Sequence, residues 1–89
     1  MPYIIKKKRK TLDPAIEELA EAYRSLNDDG NFAGNLNYTI SKLIKILYPS
    51  PNYQRYNDII GALECCKLEI YRKRIAPYED SKEQENGPV

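Results

Sequence analysis

Eighty-nine residues with 42% hydrophobic and 30% charged side chains make one soluble domain, too short for two and too apolar for a disordered chain. A net charge of +1 excludes a strongly basic or acidic body. The absence of histidine removes the commonest general base and metal ligand.

Residues 1–11 read as an arm. Tyr3, Ile4 and Ile5 are placed to lie extended against a helix, and Lys6–Lys10 (KKKRK) leave the surface as five consecutive positive charges. No signal-peptide core precedes Lys6, which points to a cytoplasmic protein. Leu12-Asp13-Pro14 then opens a helix, with Asp13 as N-cap and Pro14 in the first turn. Leu12, Ile16, Leu19, Tyr23 and Leu26 recur at alternating +4 and +3 spacings, a narrow apolar seam. Glu17, Glu18, Glu21 and Arg24 fall off that seam and face water.

Asn27-Asp28-Asp29-Gly30-Asn31 stops the first helix, because Asn and Gly tolerate a left-handed backbone. A second helix is predicted over 36–48, with Leu36, Ile40, Leu43, Ile44 and Leu47 on its apolar face. Pro49 and Pro51 end it. Ser50 is placed to cap a third helix that runs to about Ala76, where Pro77 opposes continuation. One seam of that helix is Tyr56, Ile59, Leu63, Cys66 and Ile70. A second is Asn57, Gly61, Glu64, Leu68, Tyr71 and Ile75. Two seams call for two packing partners.

The expected fold is therefore all-α: a small three-helix bundle over 12–78 with an extended N-terminal arm (1–11) and a polar, acidic C-terminal tail (79–89). A chain of this size buries roughly 60–65% of its unfolded surface. The thin core and the surplus seam together point to a homo-oligomer. Gly61, with Ala62, Cys65 and Cys66, forms a patch of small side chains where another helix or the arm is expected to come close, so Gly61→Leu should disturb packing. The adjacent cysteines read as two small buried thiols, since a bridge between helical neighbours is geometrically barred.

The chain resembles a small uncharacterised family of helical proteins found in phages, archaea and some bacteria. The resemblance rests on PYI at 2–4, LDPAIEELA at 12–20, GNLNYTISKL at 34–43 and NDIIGALECCKLEIYRKRIAPYED at 57–80, and extends into Glu85-Asn86-Gly87. It implies a compact helical protein, viral in some members, and carries no activity with it.

Enzymatic chemistry finds little support in the residues. Two neighbouring cysteines do not make a zinc site, and no glycine-rich phosphate loop is present. Glu17-Glu18-Leu19-Ala20-Glu21 is similar to the first acidic motif of the all-helical nucleotide pyrophosphohydrolases. Those enzymes need a second pair of carboxylates on a neighbouring helix, and no acid occurs between Asp29 and Asp58. No catalytic residue, metal or cofactor is assigned.

Binding is better supported. Lys6–Lys10 suit non-specific phosphate contact, but no helix carries a base-reading face, so sequence-specific nucleic-acid recognition is not expected. Eight tyrosines without a tryptophan supply faces for stacking a base, and arginine grips phosphate bidentately. Tyr71, Arg72, Arg74 and Tyr78 gather these groups at the end of the third helix. Asn57, Glu64 and Lys67 add a polar set on its second seam. The expectation is a non-enzymatic protein that holds a small anionic, nucleotide-type ligand at a subunit interface, as a phage protein sequestering an immune signal does. The alternative is an interaction module that docks a host or viral protein through an exposed helix face.

Overall fold

A computed structural model describes residues 2–27 and 29–89, apart from the side chain of Asp29. Every regular element among them is helical: α1 (Lys6–Leu26), a short 3-10 turn (Asp29–Asn31), α2 (Phe32–Leu47), α3 (Tyr53–Ile70), a π-helical segment (Tyr71–Ile75) and α4 (Ala76–Asn86). The chain divides into two units, residues 5–51 and residues 52–89 joined by 2–4.

In the unit 5–51, α1 begins seven residues before Asp13 (13 − 6) and includes the whole basic run. The expected arm is thus shortened to residues 2–5. Lysine, arginine and leucine are good helix formers, and their summed propensity outweighs the Asp13 cap and the missing amide of Pro14. The extension has a cost. No acid lies in its first turn and no side chain caps it, while five cations face the positive end of the helix dipole. Asn27 stops α1 in the left-handed conformation, at φ 50°. Its part of the stop signal is as expected, and the part on Asp28 lies outside the described residues.

The two helices of this unit meet where Leu19, Ala22, Tyr23 and Leu26 of α1 and Asn35, Tyr38 and Thr39 of α2 line a common hollow. A single knot ties their near ends. The Tyr23 hydroxyl donates to the Asn35 carbonyl oxygen at 3.0 Å and meets the Thr39 hydroxyl, which donates to the same carbonyl at 2.9 Å. Beyond the knot both seams stay open: Leu12, Ile16 and Leu19 on α1, and Leu36, Leu43 and Leu47 on α2, are exposed.

In the unit 52–89, Asn52 is the cap of α3, in place of the expected Ser50. Its side-chain oxygen accepts the Arg55 amide at 2.7 Å. The helical backbone then passes straight through Pro77. Ile70, Tyr71, Ile75 and Ala76 all keep right-handed helical dihedrals. Proline lacks an N–H and its ring would strike the carbonyl four residues back, that of Lys73. The π segment answers both problems by widening the turn just ahead of Pro77, with the Ala76 amide donating to the Tyr71 carbonyl five residues back. The expected tail is therefore largely helix, ending at Gly87, whose φ of 91° and ψ of 157° suit glycine alone.

No described residue is buried. Within neither unit do the described residues form a packed core. Leu68, Tyr71 and Ile75 stay 56%, 49% and 42% exposed, so the second seam of α3 has no cover of its own. Cys65 and Cys66 are free and exposed rather than buried. Nothing lies within 4 Å of where a Gly61 side chain would start, so the close approach expected there is not made within the chain.

Candidate binding site at the widened helical turn

The N-terminal segment reaches α3 through one side chain. The Tyr3 hydroxyl donates to Glu69 Oε1, while Arg72 Nη2 holds Glu69 Oε2 at 2.6 Å. The phenol and the guanidinium together keep the Glu69 carboxyl below its ordinary range, the phenol contributing most. Glu69 in turn holds the Arg72 guanidinium more firmly in its charged form. One turn on, the widened backbone sets Tyr71 opposite Glu79, and the phenol donates to that carboxylate at 2.5 Å. Losing the phenolic proton beside a carboxylate is unfavourable, so Tyr71 titrates above its usual value.

These groups border a shallow groove of about 400 Å³ lined by Pro2, Cys65, Leu68, Glu69, Tyr71 and Arg72. Its volume is that of a small-molecule site. Its walls are mostly apolar, and the acid within it already engages the one arginine. Of the seven residues singled out from sequence, only Tyr71 and Arg72 reach this groove. Tyr78 lies further along, with Lys82 Nζ 5.7 Å from its ring centroid. Arg74 joins no ion pair among the described residues. Glu64 and Lys67 pair with each other at 3.0 Å across one exposed helical turn, and Asn57 is exposed two turns earlier.

Sequence reasoning missed Glu69 and Glu79, the two acceptors that organise the site. Glu79 was assigned to a tail outside the helix. Glu69 shares no local pattern with Tyr3, which is 66 positions away. Among the described residues, no three His, Cys, Asp or Glu side chains gather as for a metal ion, and no described helix is long and apolar enough to cross a membrane.

What the fold and site define is a small all-helical protein with an open, amphipathic surface. The chain belongs to the family of the domain of unknown function DUF6899, whose model matches residues 1–89. No curated protein and no solved structure matches it.

Proposed function

We propose that this protein is a non-enzymatic cytoplasmic interaction module that works by covering its open helical seams with helices of another chain. The observation carrying this reading is the apolar surface left bare within each unit: Leu12, Ile16, Leu36, Leu43 and Leu47 in 5–51, and Ile60, Leu68 and Ile70 in 52–89, are all exposed. Leu43 tests the reading. It is exposed in the single chain. Leu43→Ala should cost about 2–5 kcal/mol in thermal or denaturant unfolding if a partner covers it. A change under about 0.5 kcal/mol, as for a surface site, would rule the covered seam out.

A second reading keeps the nucleotide-type ligand, with a viral protein as its bearer. It is favoured by Arg74, which lies next to the groove in sequence and takes part in no ion pair among the described residues. Against it, Arg72 is already neutralised by Glu69. A thermal shift with ADP-ribose or a cyclic dinucleotide that vanishes in Arg74→Ala would support it. No shift with either would remove it.

A further inference from the structure

The charge blocks of the chain are spaced alike on two of its helices. α1 carries five cations at 6–10 and then four acids, Asp13, Glu17, Glu18 and Glu21. The helix formed by α3, the π segment and α4 carries three cations at 72–74 and then four acids and one lysine over 79–85. The blocks are equally spaced. From Lys8 to Glu17 is nine residues (17 − 8), and from Lys73 to Lys82 is nine (82 − 73). Each gap is about 14 Å along a helix. Laid antiparallel with Lys8 level with Lys82, both pairs of opposite blocks meet at once.

The same register aligns the apolar residues. Leu12 comes level with Tyr78 and Leu19 with Tyr71 next to Ile70, while Ile16 and Leu26 come within one residue of Ile75 and Leu63. All nine are exposed, and Tyr23, between them, is half-buried. The π segment makes this match possible. One extra residue in a turn rotates everything after it by about 100° relative to an unbroken α-helix. Ile75 and Tyr78 are thereby turned from the second seam towards the stripe of Tyr56, Leu63 and Ile70. Two separate seams become one long stripe, roughly 33 Å from Tyr56 to Tyr78.

Neither face is covered within its own unit among the described residues, and a two-fold pair of copies would cover both faces in each chain. We propose that a second copy of this chain covers the seam, with α1 of each copy antiparallel to the 53–86 helix of the other, as two identical contacts about a two-fold axis. The apolar stripe supplies the affinity. The charge blocks, each exposed pair worth little alone, select register and direction as flanking charges do in coiled coils. Glu17, Glu18, Lys73 and Arg74 suit that role, since none takes part in an ion pair among the described residues.

The inference rests on the interaction-module reading and is tested separately from it. The wild-type chain is mixed as natural-isotope and ¹⁵N copies and treated with a zero-length carbodiimide crosslinker. Mixed-label links of Lys73 to Glu17 or Glu18, and of Lys6–Lys10 to acids of 79–85, are expected; links confined to one label overturn the proposal. In light scattering at micromolar concentration the chain should be a dimer or a multiple of it. Lys73→Glu with Arg74→Glu should weaken association about tenfold or more at low salt, and adding Glu17→Lys with Glu18→Lys should restore it to within about threefold. A monomer, or association indifferent to the reversal, defeats the second copy as partner. If that monomer still shows the Leu43→Ala loss in a complex with another protein, the module reading stands without it.

Discussion

The two units of the molecule are held in opposite ways. In residues 5–51 an uncharged knot, Tyr23 against Asn35 and Thr39, joins helices with exposed leucines, and Arg24 pairs locally with Glu21. In residues 52–89 the order is local and charged: ion pairs three residues apart, a carboxylate shared by Tyr3 and Arg72, and a widened turn that carries the helix past Pro77. The first unit therefore has little beyond that knot to hold its two helices, whereas the second holds its shape through helix propensity with its stripe exposed.

The strongest way to break this contrast is Pro77→Ala. Proline inside a helix costs about 3 kcal/mol relative to alanine, so the substitution should raise the stability of the 52–89 helix by up to that amount. With an amide at position 77, the Lys73 carbonyl regains a donor four residues on, and the π segment should relax to α. Ile75 and Tyr78 then rotate off the stripe. The expected outcome is slower amide exchange over 70–80 together with weaker self-association, a pairing that simple stabilisation would not give. Equal or stronger association would show that the widened turn has no part in aligning the face.

Two smaller substitutions sharpen the comparison. Tyr23→Phe removes the hydroxyl that joins α1 to α2 and should cost about 1 kcal/mol, read as faster amide exchange in 5–51 with 53–86 unchanged. Gly61→Ala should stabilise α3 by about 1 kcal/mol, because the added Cβ meets nothing within the chain. In the antiparallel register Gly61 lies level with the residues just past the end of α1, so no helix is expected to crowd it. A destabilised variant would place a partner helix against Gly61 and shift the register.

The sequence showed where helices form and which side of each is apolar, because spacings of three and four report directly on a helical face. It failed wherever two local signals compete. Asp13 and Pro14 look like a helix start, yet the lysines before them are helical too. Pro77 looks like a stop, yet one π turn absorbs it, and no residue in YRKRI announces that turn. The site suffered for the same reason. Tyr71 and Arg72 were found by their chemistry. Glu69 and Glu79 were not, since one is paired across 66 positions and the other becomes a neighbour only when the helix continues. The exposed seams were legible only as apolar periodicity, which names a face and not what lies against it.

The smallest effects are those of pH, and they belong to the charged unit. Glu69 has its folded value lowered. Its contribution is full above the ordinary carboxylate value near 4.5 and fades as pH falls through the lowered one. Tyr71 is shifted the other way. Its contribution is full below about 10 and fades as pH rises through the raised value. Between those limits the Tyr3–Glu69 and Tyr71–Glu79 contacts should be insensitive to pH. The Tyr3 ring resonances should move on acidification in the wild type and stay flat in Glu69→Gln. Tyrosinate absorbance should show a late-titrating phenol that Glu79→Gln advances. If Tyr3 responds to acid equally in Glu69→Gln, the N-terminal segment is held on α3 by something other than this carboxylate, and the charged character assigned to the second unit loses its main support.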